Sequence, residues 1–466
     1  MTAIRPTRPI LRDYQAVGSQ FLAARDLALL ADDAGLGKSR ETIAAWEDQN
    51  CRRILIICPA VSRLVWPSEL DKWQTHPNIP SAVIAPGTTA WNENQIQALV
   101  GRPAVIVIVA FDTFSTVKMN TTSRAIVRAL CLANWDVVVI DEGHKLANPG
   151  STRTQVIYGR RLDRKACVVQ NAKRVWVLTG TPTPNNASEI YPHAKALWPD
   201  AIAPDALEHW QFIERYCTYR DTTYGRSITG SKNQSELRRR LATHVLRRRK
   251  HEVLPELPNL DFVVTPIPSD VLSAMGDVDL PANLEGDDLL AWVHQHTAQL
   301  STLRRRTGEL KVPAVSDYVT EMLDSGVQKI VVFAHHIDVI QRLHELLFDR
   351  GAVTIAGSTS TKDRAQAVLA FQNDANTRVL VGQIDACGIS ITLTAAHDVV
   401  FAECSWVPGA NVQAASRCHR LGQRSAVLAR MLTVPGSMDE RIVNALVRKA
   451  SDIAALWDGN TEFAAA

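Results

Sequence analysis

The sequence predicts an α/β chain of two parallel-sheet lobes in tandem with helical insertions between them. Three observations lead there. Short, β-branched apolar runs recur along both halves with helical patterns between them, as parallel βαβ units require. The runs are apolar throughout rather than alternating, the mark of strands covered on both faces. And 466 residues are too many for one ordinary core.

In the first half the runs are Leu27–Ala31, Arg53–Cys58, Ala104–Phe111, Asp136–Ile140 and Arg174–Leu178. In the second they are Lys329–Ala334, Val353–Ala356, Arg378–Val381, Asp398–Ala402 and Leu428–Val434. Between them the pattern changes. Aromatic and charged residues mix in Trp210–Tyr216, Leu254-Pro-Glu-Leu-Pro258 breaks any helix, and an acidic patch follows with Asp277, Asp279, Glu285, Asp287 and Asp288. The expected division is a first lobe over 1–250 with a helical insertion near 186–245, an insertion and linker over 251–315, and a second lobe over 316–466. A capping box, Ser437-Met-Asp-Glu440, starts a closing helix with Ile442, Leu446 and Ala450 on one face.

Composition narrows the classes. Hydrophobic residues at 46% and charged residues at 21% are ordinary for a globular protein, and a net charge of +3 does not by itself imply a polyanionic partner. The basic residues are clustered, however: Arg238–Arg240 and Arg247–Lys250 share a stretch without acids, and Arg304–Arg306 form a second group. The eight cysteines make no C-x-x-C pair, which argues against a zinc ribbon, and Cys58, Cys131, Cys387 and Cys404 read as small core residues, reduced in a cytosolic protein. No apolar stretch follows the first basic residues, and the longest apolar strand is far too short for a bilayer, so the expectation is a cytoplasmic protein without a signal peptide or membrane partner.

Two strings carry chemistry. Asp33-Ala-Gly-Leu-Gly-Lys-Ser39 follows the run Leu27–Ala31. Gly35 and Gly37 allow a tight turn whose N–H groups, with the following helix N-terminus, cradle phosphates. Lys38 would reach the β/γ-phosphates and Ser39 would bind Mg²⁺. The strict phosphate-loop pattern has Gly where this chain has Asp32. Asp141-Glu-Gly-His144 ends a second strand. A carboxylate at the C-terminal end of a parallel strand stands where α/β ligand sites lie; Asp141 suits the metal and Glu142 the activation of water. Thr179 and Thr181 end another strand in Leu178-Thr-Gly-Thr-Pro-Thr-Pro184, where hydroxyls can relay the phosphate state. Finally, Arg417 and Arg420, three apart in Gln413–Gln423, would share a helical face and close on phosphates as arginine fingers do.

In this order the strings resemble a superfamily-two motor of the Swi/Snf type, nearer to compact bacterial, phage and annealing-helicase-like members than to large chromatin remodellers. Leu11-Arg-Asp-Tyr-Gln15 resembles the adenine motif, Asp33–Ser39 motif I, Pro59–Trp66 motif Ia, Asp141–His144 motif II and Thr179–Pro182 motif III. Val245–Pro258 resembles the basic segment after the first lobe, Val331–His335 motif IV, Gly388–Ala396 motif V and Gln413–Gln423 motif VI. Asp32 is what this family usually has, so the defect in the generic pattern becomes a family mark. Gly143 stands where Ala is frequent, Ser390 replaces a Gly, and Ser416 replaces an acid beside Arg417.

The resemblance implies two RecA-like lobes and a monomeric DNA-dependent ATPase that moves along double-stranded DNA, in the cytoplasm, nucleoid-associated or phage-encoded. It implies ATP and Mg²⁺ held by Tyr14, Gln15, Asp33, Gly35, Leu36, Gly37, Lys38, Ser39, Asp141 and Gln413, with the metal on Ser39 and Asp141. Glu142, Lys38, Arg417 and Arg420 would be catalytic. Nucleic-acid contacts would come from Ser62, Arg63, Thr179, Thr181, Arg247, Arg248, Arg249, Thr392 and Thr394. The DNA partner could also be branched or single-stranded. A strand-separating DNA or RNA helicase is one alternative; a nucleotide-dependent DNA-binding scaffold that scarcely hydrolyses ATP is another.

Overall fold

The computed structural model describes residues 10–60, 62–75, 79–84, 93–115, 121–222, 225–267, 289, 292, 297–387, 391–437 and 439–447. The acidic patch after residue 270, the opening of the motif V string at 388–390, and Ala450 lie outside them. The chain divides into two compact units, one of residues 1–217 with 231–249 and one of residues 218–230 with 250–466.

The first unit is built on strands β1 (Leu27–Leu30), β2 (Arg53–Cys58), β3 (Ser81–Ile84), β4 (Val105–Ala110), β5 (Trp135–Asp141) and β6 (Ala172–Leu178). After β7 (Cys217–Thr222) and β8 (Gly225–Ser231), which form a separate two-stranded sheet, a short β9 (Val245–Leu246) completes it. The order is β3-β4-β2-β5-β6-β1-β9, and every pairing is parallel. All six residues of β4 and five of the six in β2 are buried, so these strands take their stability from both faces. Trp46, Trp66 and Trp176 help fill the layer between sheet and helices.

Parallel strands deliver their C-terminal ends to one edge, and register makes that edge level. Leu30 pairs with Leu178 and Leu246, and Leu178 pairs with Asp141. The phosphate-loop string, the Thr179 turn, Asp141 and the basic segment therefore leave the sheet side by side.

The second unit has β10 (Leu260–Pro266), β11 (Ile330–Ala334), β12 (Ala352–Ile355), β13 (Val379–Gln383), β14 (Asp398–Phe401) and β15 (Val427–Thr433), in the order β10-β15-β14-β11-β13-β12, again parallel. Ile442, Val443, Ala445 and Leu446 of the closing helix, residues 439–447, are buried in its core. Its start is capped as the sequence suggests: Glu440 N–H donates to Ser437 Oγ (3.3 Å), and the Glu440 carboxylate reaches back to Gly436 N–H (2.8 Å).

The stretch read as insertion and linker differs. Residues 260–266 are a full strand paired with β15, and a 28-residue helix, Thr297–Asp324, runs through the expected boundary at 315. The region near 186–245 holds the helices Tyr191–Leu197, Pro199–Ile202, His209–Tyr216 and Gln234–Leu241 as well as β7 and β8. Among the described residues no helix is long and apolar enough to cross a membrane.

Candidate active site

After β1 the chain enters the loop that leads to the helix Lys38–Asp48. Gly35 and Gly37 have φ of 94° and 95°, a left-handed backbone that glycine adopts without strain. A Cβ at Gly37 would stand 2.5 Å from Gln15 Nε2, so the loop and the helix Asp13–Ala23 are fitted to each other. Tyr14 Oη and Gln15 Nε2 both donate to the Leu36 carbonyl at 3.0 Å, and Gln15 Oε1 accepts from Arg12 N–H (3.2 Å). Lys38 Nζ donates to the carbonyls of Asp32 (2.6 Å) and Asp33 (3.2 Å), which holds the ammonium within the loop. This helix N-terminus with left-handed glycines, a Lys and the Ser39 hydroxyl is a donor set suited to a nucleotide phosphate chain.

Beneath the loop lies a charge cluster that motif reading missed. Asp32 and Glu41 are fully buried, and both bind the guanidinium of Arg248, which is 9% exposed. Arg248 also takes the Tyr14 carbonyl, and its own N–H donates to Asp32 (3.0 Å). Two carboxylates thus share one cation. Burial pushes Glu41 up to about 8, with the Asp32 charge adding to it and Arg248 opposing it. Burial raises Asp32 as well. Asp32 is therefore the anchor of Arg248, which ties the end of β9 to the base of the phosphate loop. Main-chain bonds complete the tie: Ala31 N–H to Leu246 O (2.7 Å) and Asp33 N–H to Arg248 O (3.1 Å).

Asp141 ends β5, and its Oδ2 accepts from the indole N–H of Trp66 (3.0 Å). Burial, then the adjacent Glu142, pushes Asp141 up to about 7; neighbouring desolvated carboxylates of this kind favour a cation between them and a phosphate. A metal held by one hydroxyl, one carboxylate and phosphate oxygens is the usual Mg²⁺ arrangement. The residues present fit ATP with Mg²⁺. Glu142 has a left-handed backbone, φ 55°, rare for a non-glycine residue and typical of strain kept at a functional turn. Its Oε2 lies 3.3 Å from His144 Nδ1, which is also 3.1 Å from Thr179 Oγ1; Thr179 Oγ1 in turn accepts from Thr181 N–H (3.1 Å). A polar chain thus runs from Glu142 to the Thr179 turn.

Behind it, buried His193 is held low, near 4, by desolvation and is neutral. Its Nε2–H donates to the Gly143 carbonyl (3.1 Å), which leaves Nδ1 to accept from the Tyr158 hydroxyl (2.9 Å). Gly143 is required by contact: a Cβ there would stand 2.2 Å from Val177 Cγ1. The change from the frequent Ala is thus matched to the Val177 side chain of this chain.

In the second unit the helix Pro408–Ala415 carries Gln413 and ends before the two arginines. The expected shared helical face is not formed; the helix ends at Ala415, and Arg417 and Arg420 sit in the turns that follow. Arg417 is 3% exposed and its carbonyl accepts from Leu393 N–H (2.9 Å); Arg420 Nη1 donates to Thr392 Oγ1 (3.0 Å). Gln423 pins the same turn, donating to the carbonyls of Thr394 (3.2 Å), Ala396 (2.8 Å) and Cys418 (3.1 Å). The loop with both arginines is thus sewn to the segment after residue 390.

Several residues expected on a nucleic-acid face are used internally. Arg248 is in the buried cluster; Arg247 Nη1 donates to the carbonyls of Ala31 (3.0 Å) and Gly180 (3.3 Å). Ser62 and Thr179 are 4% and 1% exposed. Thr392 holds Arg420, and Thr394 Oγ1 accepts from Gln372 Nε2 (3.3 Å). Lys250, also counted in the basic stretch, is buried against His419. Arg240 pairs with Asp205 and Glu236. Arg63, Thr181 and Arg249 are each partly exposed; the Nε and Nη1 of Arg63 have no hydrogen-bond partner.

Comparison with known proteins covers both units. Residues 14–267 match the SNF2-related domain and residues 311–422 the helicase conserved C-terminal domain. DNA annealing helicase and endonuclease ZRANB3 of Bos taurus is 30% identical over 471 residues, 98% of this chain and 41% of that protein. The SWI/SNF-related matrix-associated actin-dependent regulator of chromatin subfamily A-like protein 1 of Xenopus laevis is 30% identical over 439 residues, 92% of this chain and 42% of that protein. The chain spans about two fifths of the length of these curated relatives. Among solved structures, a Sulfolobus solfataricus SWI2/SNF2 ATPase core in complex with dsDNA is 20% identical, covers 98% of this chain and 97% of that one, and has a TM-score of 0.44.

Proposed function

The chain belongs to the SNF2-related family of helicase-like ATPases, and we propose that it is a DNA-dependent ATPase that couples ATP hydrolysis to movement along double-stranded DNA. The observation that carries this is the level edge of the first sheet, where a phosphate cradle, a metal-suited carboxylate and a strained Glu142 emerge in adjacent register.

Bound ATP would supply the phosphoanhydride, and Mg²⁺ would neutralise charge developing on its β- and γ-oxygens. Tyr14, Gln15, Asp33, Gly35, Leu36, Gly37, Lys38 and Gln413 would hold the nucleotide, and Ser39 and Asp141 the metal. Glu142 orients the attacking water and accepts its proton. The polar chain through His144 and Thr179 keeps that carboxylate aimed and links its state to the Thr181 turn. Arg417 and Arg420 counter the charge on the transferring phosphoryl group, and the Gln423 clamp keeps their loop in shape.

The relatives named for annealing helicase and chromatin-regulator activities support DNA as the polymer. Arg63, Thr181 and Arg249 are the phosphate contacts best supported on the first lobe, and binding through them is sequence-tolerant and salt-sensitive. The test is ATPase rate with duplex DNA, branched DNA, single-stranded DNA and RNA side by side. Strongest stimulation by duplex or branched DNA is expected. Preference for single strands or RNA would shift the reading to strand separation, and no hydrolysis at saturating DNA would leave a scaffold.

A further inference from the structure

The run Arg304–Arg306 plays no part in the site above, and its members have different surroundings. Arg305 is exposed and pairs with Glu309 (2.9 Å) and Asp338 (2.7 Å). Arg304 turns inward. Its Nη2 donates to the Cys404 carbonyl (2.6 Å), and its guanidinium lies 4.5 Å from the centroid of the Trp406 ring. Burial pulls its basicity down, yet among the described residues no carboxylate forms an ion pair with it.

The acids nearby are already served. Glu403 accepts the backbone N–H groups of His335 (2.8 Å) and His336 (2.9 Å) and is paired with His336 Nδ1 (2.7 Å). Asp439 is paired with Lys311 Nζ (2.6 Å), and Lys311 is itself buried. Both acids are thus held by other groups, and Arg304 is in an ion pair with neither. It lines a small, partly open cavity together with Thr307, Lys311, Glu403, Trp406 and Asp439.

Thr307 is the second, independent observation. It lies three residues beyond Arg304 on the helix Thr297–Asp324, hence on the same face. It is only 5% exposed, and its hydroxyl has no hydrogen-bond partner. An unpaired buried hydroxyl is a standing cost that an apolar isostere would remove. A planar cation without an ion pair beside an unpartnered donor in one cavity is a donor set for a tetrahedral oxyanion, because a guanidinium fork and a hydroxyl can each take a phosphate oxygen.

We propose that Arg304 and Thr307 form a binding site for a single phosphate group, and that its source is the backbone of the nucleic acid on which the chain moves. The second half rests on the function proposed above; the first half does not. Free inorganic phosphate shares the chemistry, so the test has two arms on the full chain. Thr307→Val and Arg304→Met are compared with the parent for duplex affinity across a salt series, and for thermal stabilisation by inorganic phosphate.

Thr307→Val should bind duplex about tenfold more weakly while melting no lower than the parent, a combination that a merely structural threonine cannot produce. Arg304→Met should lower the slope of log affinity against log salt by about 0.9, one phosphate contact. If Thr307→Val melts higher and binds duplex and phosphate as the parent does, the site is overturned, and that variant decides the matter even if Arg304→Met fails to fold. Phosphate protection lost in both variants with duplex binding unchanged keeps the site and overturns its assignment to the backbone. A parent that binds no duplex at all refutes the proposed function, and the phosphate arm then decides the site alone.

Discussion

Replacing Glu41 by Gln should make the protein more stable at neutral and mildly alkaline pH and leave it unchanged below about pH 4.5. Glu41 and Asp32 are both fully buried against one guanidinium, so one carboxylate lacks a cation of its own. Burial first, and the Asp32 charge second, lift Glu41 from 4.5 to about 8. Between those values the folded chain holds a proton that the unfolded chain has lost. Stability from this group is therefore complete below about 4.5, falls as pH rises, and is gone once pH passes about 8. The slope is about 1.4 kcal/mol per pH unit, so going from pH 6 to pH 8 costs about 2–3 kcal/mol through this group alone. The amide imitates the protonated acid, keeps an acceptor for Arg248, and has no such slope. Denaturant midpoints measured at half-unit steps from pH 4.5 to pH 9 check this. A chain of two units need not unfold in two states, so the quantity to follow is the difference between Glu41→Gln and its parent, in which other titrations cancel. It should be near zero at about pH 4.5, reach about 2 kcal/mol in favour of the variant by pH 6, and grow further up to about pH 8. Parallel curves over the whole range would mean that Arg248 keeps both acids ionised, and would refute the account of a cation shared by two buried acids.

Further outcomes follow from the same geometry. Arg248→Met leaves both acids without a cation and should destabilise the first unit by about 3–5 kcal/mol, seen as an early denaturant transition; an unchanged curve would remove the cluster as the base of the loop. Lys38→Ala should abolish turnover, and Glu142→Gln should reduce it by at least about a hundredfold, each with the circular-dichroism melt of the parent; normal turnover in either variant would unseat the site. Gly143→Ala should cost about 1–3 kcal/mol by overpacking against Val177, and Val177→Ala in the same chain should recover part of that cost, which a double-mutant cycle of melting curves measures.

What the sequence made legible was whatever is written in consecutive residues. Strands covered on both faces stand out as unbroken apolar runs, and each such run became a strand to within a residue or two. The strands that went unread, β3, β7, β8, β9 and β10, are all at sheet edges. An edge strand is partly open to solvent, so Leu260–Pro266 buries none of its residues fully and its polar members broke the apolar signal. The phosphate loop and Asp141–His144 were readable for the complementary reason: a turn that must wrap a phosphate chain needs its glycines, lysine and hydroxyl within a few consecutive positions.

Electrostatic pairing has no such locality, and that is where the reading of the basic stretch failed. Residues 238–250 hold no acid, so the stretch looks like a solvated or nucleic-acid-binding face. Folding brings its counter-charges from far away in sequence: Asp205 to Arg240, and Asp32, 216 positions distant, to Arg248. A guanidinium committed to buried carboxylates is not available to a phosphate backbone, so the density of arginines in a sequence overstates the nucleic-acid face. The same reasoning reverses for Arg304, which sits in a run of three arginines yet forms no ion pair with a carboxylate among the described residues. The residues that meet a polyanion are the ones folding leaves unmatched, and finding them requires subtracting every internal pair first.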